Sequence, residues 1–367
     1  MTELVPLRLY TAEDLLSGFN PWDPLGYSLT RDFSIFRRFV HDGGAVPASL
    51  AIRTAQADHD AAIADALRQF LKDLRRPLVG FMGGHGVPRN SDAYADIARL
   101  ARFLAHRGFL IVTGGGPGIM EAAHLGVAFS ASPDGDLETA LKAIAVEPVV
   151  PSLDALFDPD GMVLPEKLEA LVKARQWLKV AIEVRKAAPE ILPISLAIPT
   201  WLYGAEPTMP FATHYAKYYQ NSLREEALVN NSRAGIIYGQ GGGGTMREVF
   251  QDVERNYYLR RVEDFTPMIF FDRGGYWTSD AVYDGDAIKK RGIRLDASIP
   301  TILTLGLRGG GMATSDVDLC INKIKFTVNH MEIANILAGH VSAAEKNLNF
   351  ALAAQPMKVT NSRMNRH

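Results

Sequence analysis

The residues best suited to chemistry lie together at Gly239 to Glu248, GQGGGGTMRE, where a run of glycines is followed by a threonine and then a glutamate. Glycines let a backbone approach a ligand with no Cβ in the way. The N-terminus of a following helix adds unpaired N–H groups and a partial positive charge. Together they suit a phosphate, held at Gly241, Gly242, Gly243, Gly244 and Thr245. Glu248 falls about one helical turn further on. A carboxylate gains nothing from touching phosphate, so it addresses another part of the same molecule. The plainer alternative is a tight turn followed by a solvated acid. Two more glycine clusters, Gly83 to Gly86 and Gly114 to Gly118, and the arginine of SLREEALV, Arg224, complete the chemical inventory.

Each cluster follows an apolar run and precedes a helical pattern. LVGFMGG (Leu78 to Gly84) reads as a buried parallel strand entering the loop GGHGVPRN, after which Ser91 caps a helix to His106. FLIVT (Phe109 to Thr113) enters GGGPG, with a helix from Ile119 to Phe129. AGIIY (Ala234 to Tyr238) enters the central loop, and TMREVFQDV (Thr245 to Val253) leaves it. ISLAI (Ile194 to Ile198) and PMIFF (Pro267 to Phe271) read as further buried strands. Ser222 and Glu225 have capping-box spacing for a helix through Val229 that carries Arg224 in its first turn. Strands alternating with helices predict an α/β, Rossmann-like, doubly wound parallel sheet with ligands at the C-terminal ends of its strands.

Around this domain, placed at 77–355, the signal changes. Residues 1–76 read as an N-terminal helical and irregular extension. The part to about residue 55 has no period, and Asp58 to Arg76 has helical spacing stopped by Pro77. Residues of about 130–193 read as an insertion, with a long helical stretch from Glu166 to Ala188. ILTLGL (Ile302 to Leu307) and LCINKIKFTV (Leu319 to Val328) are candidate strands. A terminal helix spans about Met331 to Ala353, and 356–367 reads as a mobile tail.

The chain's 47% hydrophobic and 22% charged content is that of a globular protein, and a net charge of −2 argues against a nucleic-acid or membrane surface. Cys320 is the only cysteine, which excludes an internal disulfide and suits a reducing, cytoplasmic location. No histidine among His41, His59, His106, His124 and His214 has metal-ligand spacing, so neither a metal nor another cofactor is expected.

Neither GGGPGIM nor GQGGGGTM places a Lys after its last glycine, which argues against nucleoside triphosphate hydrolysis. GGGPGIM also puts Ile119 at the third position of the dinucleotide fingerprint, which disfavours hydride transfer. TGGGPGIMEAA (Thr113 to Ala123), SLREEALV (Ser222 to Val229) and GGGGTMRE (Gly241 to Glu248) instead resemble the LOG (Lonely Guy) family of nucleoside 5′-monophosphate phosphoribohydrolases. Some of its members carry an older lysine decarboxylase label. The resemblance covers 78–129 and 194–272. It implies a nucleosidase that hydrolyses a nucleoside monophosphate such as AMP to free base and ribose 5-phosphate, with a homodimer built beside the site.

By the same resemblance the phosphate signature falls on Gly241, Gly242, Gly244 and Thr245, the catalytic glutamate on Glu248 and the catalytic arginine on Arg224. The chain departs from the family at Gln240, where Pro is usual before the glycine pair, and at Gly243, where an aromatic or aliphatic residue is common. It departs again at Arg247, where an acid is frequent before the Glu, and at Glu225, where Lys usually follows the Arg.

Gly114, Gly115, Gly116 and Gly118, with Gly83 and Gly84, are expected to line the ribose and base, and Glu121 to bind a ribose hydroxyl or cap its helix. His85 is an acid–base candidate or a polar contact. Trp201, Tyr203, Tyr215, Tyr218 and Tyr219 either stack on a base or pack in the core. Two other readings stand beside hydrolysis. One is a non-catalytic nucleotide sensor or carrier. The other is a pyridoxal phosphate decarboxylase, for which no Schiff-base lysine stands out.

Overall fold

The computed structural model describes residues 6–353. The helices are α1 (Ala12–Leu16), α2 (Arg31–His41), α3 (Leu50–Leu74), α4 (Asp92–His106), α5 (Ile119–Ala128), α6 (Asp134–Ile144), α7 (Leu168–Ala187), α8 (Asn221–Asn231), α9 (Gly243–Tyr257), α10 (Leu295–Gly309), α11 (Thr314–Ile321) and α12 (His330–Ala353). The strands are β1 (Leu78–Met82), β2 (Leu110–Thr113), β3 (Leu196–Ala197), β4 (His214–Tyr215), β5 (Gly235–Tyr238), β6 (Met268–Phe271), β7 (Val282–Asp284), β8 (Ala287–Lys290) and β9 (Ile324–Thr327). Seven strands form one parallel sheet in the order β4-β3-β2-β1-β5-β6-β9, and β7 and β8 form a separate exposed hairpin. The expected Rossmann-like α/β architecture is therefore present.

The central strands β1, β2, β5 and β6 are buried along their whole length, because helices cover both faces and leave no side for polar alternation. From β1 the order runs outward to β2, β3 and β4 on one side, and through β5 to β6 and β9 on the other. The crevice between β1 and β5 is thus the topological switch point, where open α/β sheets bind ligands. The loops at Gly83 and Gly239 leave those two strands side by side.

Several elements differ from the sequence reading. The segment 302–307 is not a strand but part of α10. Its apolar residues Ile299, Leu303 and Leu307 are buried at helical spacing while Leu305 is 67% exposed, a period of 3.6 rather than 2. Pro300 sits inside that helix, where it disguised the pattern. Within 319–328, the helix α11 runs to Ile321 and only Ile324–Thr327 is extended. The stretch before residue 55 holds α1 and α2, capped by Thr11 and Thr30, and α3 begins earlier than expected, at Leu50. The expected capping box at Ser222 is absent. The helix starts at Asn221, and Glu225 accepts from the Asn221 side chain at 2.8 Å instead. The tail at 356–367 lies outside the described residues.

The N-terminal helices clamp the β3–α8 region. The Asp32 carboxylate accepts from Trp201 Nε1 at 2.9 Å, Thr208 Oγ1 at 2.6 Å and Lys217 Nζ at 2.6 Å, all buried. Asp60 on α3 accepts from the backbone N–H groups of Tyr219 and Gln220, each at 2.9 Å, which fixes the entry to α8. Phe211, Tyr215 and Tyr218 are consequently buried within the chain, while His214 and Tyr219 are half-buried.

Candidate functional site

The three glycine loops meet at the C-terminal edge of the sheet. Gly84 N–H donates to Gln240 O at 2.9 Å, and Ile119 N–H donates to Gly84 O at 3.2 Å. The contact admits no side chains. A Cβ on Gly118, whose φ is +67°, would lie 2.3 Å from Gly84 O, and one on Gly241 would lie 2.1 Å from Thr245 Oγ1 and 2.8 Å from Gly84 N. Gly83 is pressed against Ile119 in the same way, and Gly115 against Ala197 and Pro199. Gly241 also holds Tyr276, whose hydroxyl donates to its carbonyl oxygen.

Beyond Gly241 the environment changes. Cβ atoms built on Gly242, Gly243 and Gly244 would meet nothing within 4 Å. Gly242 is the N-cap of α9, and no side chain caps it. The first turn of a 15-residue helix therefore borders open space, with its N–H groups available to an acceptor. Thr245 is buried at the base of this turn.

Glu248 and Arg224, from α9 and α8, are both buried and pair at 3.0 Å through Arg224 Nη1 and Glu248 Oε1. Arg224 Nε also donates to Ile198 O at 2.9 Å, so the guanidinium is anchored from two directions. Burial pushes the Glu248 carboxyl up from its ordinary value; Arg224 pulls it back down and Glu225 adds to the rise. The second glycine loop runs alongside, since a Cβ on Gly114 would lie 2.0 Å from Arg224 Nη2. Arg224, Glu248 and two glycine loops are thus brought together.

Glu121 belongs elsewhere. It is fully buried, and its carboxylate accepts from Arg89 Nε at 2.8 Å, Arg89 Nη2 at 2.6 Å and the Tyr94 hydroxyl at 3.0 Å. The first turn of α5 turns this acid toward α4, which rules out the expected ribose contact and the capping role alike. Arg89 in turn stacks on the Trp177 ring at 3.6 Å and donates to Trp177 O at 3.1 Å, so this cluster binds the 130–193 insertion to the sheet domain.

The sequence did not reveal Glu206. It sits in the loop between β3 and β4, its side chain is 23% exposed, and its Oε1 lies 3.1 Å from Nδ1 of His85 in the first glycine loop. A Cβ on Gly116 would lie 2.7 Å from Glu206 Oε2. Burial raises the Glu206 carboxyl, against the pull of His85 and Arg224. A lone acid in a proline-broken loop carries no period or motif, and the loop on either side of it is fixed by distant contacts, Gly204 against Phe36 and Thr208 with Asp32.

Trp201, Tyr215 and Tyr218 are buried in the core, which removes them as base-stacking residues, while Tyr203 is exposed. Lys217 is buried in its pair with Asp32 and offers no free amine. No cluster among the described residues could hold a metal ion, and none of their helices is long and apolar enough to cross a membrane. A cleft of about 580 Å3 lies between α2 and α3, lined by Arg37, Arg38, Gln56 and Tyr219 among others. It includes no residue of the glycine loops, so its size does not make it the site of the chemistry described here.

Residues 76–132 match the model of the SLOG cluster4 family (LDcluster4), part of the SLOG superfamily, which includes LOG-like proteins. That span holds β1, the first two glycine loops, α4 and α5. The likeness supports a nucleotide-related function. The sequence matches no curated protein.

Proposed function

We propose that the protein hydrolyses the N-glycosidic bond of a nucleoside 5′-monophosphate, giving free base and ribose 5-phosphate. The observation that carries this reading is the buried Arg224–Glu248 pair beside an uncapped helix N-terminus in open space. The 5′-phosphate would lie on the N–H groups of Gly242 to Thr245, where the helix dipole favours an anion. The ribose would then extend from the phosphate toward Glu248, one turn along α9.

Cleavage develops positive charge on the ribose, so a fixed carboxylate there stabilises the transition state more than the ground state. Glu248 supplies that charge and accepts a proton from the attacking water. Arg224 holds the carboxylate in place and favours its ionised form against the cost of burial. The protein needs no redox group for this chemistry, and a homodimer is part of the same reading. Incubation with a panel of nucleoside monophosphates tests the reading. Release of a free base together with ribose 5-phosphate supports it, and intact nucleotides throughout would remove it.

A further inference from the structure

Resting on that hydrolytic reading, we infer that Glu206, served by His85, is the acid that protonates the leaving base. The reaction needs such a group, because a neutral purine departs poorly as an anion and Glu248 is already committed to the water and the ribose cation. The geometry supplies one. Glu206 Oε2 lies beside Gly116 and Arg224 beside Gly114, two positions apart on one glycine loop, with Met120 packed against both. Glu206 and the arginine that holds Glu248 therefore flank the same loop, Glu206 from the β3–β4 connection and Arg224, bonded to Glu248 of α9, from α8.

The surroundings of the two carboxyl groups give them different tasks. Burial raises both carboxyls, but Glu248 is also bonded to Arg224, a permanent cation, which pulls it back toward the carboxylate. Glu206 has no such bond. Burial, the largest influence, and Asp154 favour its neutral acid, opposed by the adjoining His85 and by Arg224 and Lys217. Its contact with His85 opens a route to water, since the imidazole is 60% exposed while the acid is mostly covered. The loop that carries Glu206 is also held in place. Thr208 and Lys217 are tied to Asp32, and Gly204 lies so close to Phe36 that a Cβ would be 2.1 Å from its ring.

The proton count closes. Water attacks the anomeric carbon and gives a proton to Glu248. The electrons of the C–N bond pass to the base, which takes the Glu206 proton on nitrogen. Solvent then protonates His85, His85 passes the proton to Glu206, and Glu248 returns its own proton to solvent. The net change is addition of one water across the bond.

The test compares AMP and GMP with N7-methyl-GMP, whose cationic base leaves without needing a proton. Glu206→Gln is expected to lower kcat on the neutral purines by about 100-fold or more, the scale of a lost general acid, and to change N7-methyl-GMP by less than roughly 5-fold. The fall in wild-type kcat toward high pH is expected to disappear in this variant. His85→Gln is expected to give a smaller loss on neutral purines. Equal losses on neutral and cationic substrates, full activity on AMP and GMP, or an unchanged high-pH limb would each overturn the assignment while leaving hydrolysis in place. A wild type that cleaves no nucleotide would remove the hydrolytic reading and this role with it.

Discussion

Glu225 and Arg247 face each other at 2.9 Å between α8 and α9, one position after Arg224 and one before Glu248. The same two positions are those where the chain departs in charge from the LOG pattern, which usually has Lys in the first and an acid in the second. Here the signs are exchanged and the attraction is kept. A second ion pair therefore joins the two helices that must hold the Arg224–Glu248 pair.

This exchange predicts a specific rescue. Arg247→Glu leaves the buried Glu225 facing a like charge and should lower both stability and turnover. Because Arg247 is 62% exposed, the stability loss is expected to be on the order of 1 kcal/mol. The double variant Glu225→Lys with Arg247→Glu should recover most of both. Thermal unfolding and kcat of wild type, Arg247→Glu, Glu225→Lys and the double variant give the coupling, and a double variant no better than Arg247→Glu alone would mean that the two charges do not act as a pair.

The glycine loop separates into a structural and a ligand-facing part. Gly241→Ala forces a Cβ onto Thr245 and Gly84 and should destabilise the fold, whereas Gly242→Val meets only open space in the protein itself. Gly242→Val is expected to melt as wild type does and to lose about 10-fold or more in monophosphate affinity, since its side chain would fill the volume assigned to phosphate. Calorimetric titration showing wild-type affinity in a folded Gly242→Val protein would move the phosphate elsewhere.

Asp32→Ala removes the partner of the buried Lys217 and two further hydrogen bonds at once. Leaving a buried charge unpaired typically costs about 3–5 kcal/mol, and denaturant unfolding should show a loss of that size. A loss below about 1 kcal/mol would mean that the N-terminal helices do not clamp the sheet domain as described.

His124 predicts acid lability. It is fully buried between the Thr113 hydroxyl at 2.9 Å and the Ser195 hydroxyl at 3.0 Å, and burial lowers its pKa from 6.5 to about 3. The unfolded chain then takes up this proton before the folded one as pH falls. The contribution to stability is intact above the ordinary value of 6.5 and is lost progressively toward 3. Unfolding free energies measured between about pH 8 and pH 4 should decline more steeply in wild type than in His124→Gln. Parallel curves would assign the decline to other groups.

The central strands and glycine loops were legible because β1, β2, β5 and β6 are continuous apolar runs, as strands covered by helices on both faces must be, and because Gly241 to Glu248 keeps strand, loop and helix in one stretch of sequence. What escaped depends on contacts distant along the chain. The loop that carries Glu206 is held at Thr208 by Asp32 and at Gly204 by Phe36, both far upstream of it, and Glu121 is claimed by Arg89 and Tyr94 rather than by the loop it follows. The α10 helix was obscured locally, since Pro300 breaks the expected pattern although the buried positions keep helical spacing.

In the proposed hydrolysis, phosphate binding and bond cleavage are divided between the start of α9 and the residue one turn along it. Glu248→Gln keeps the shape of the side chain and removes its charge. Paired measurements of monophosphate affinity by titration and of base release under saturating nucleotide test the division directly. The expected result is affinity within about 3-fold of wild type and turnover lower by about 100-fold or more, the scale of one lost preorganised electrostatic contact. Full base release by a folded Glu248→Gln protein, or binding without any turnover in wild type, would contradict it.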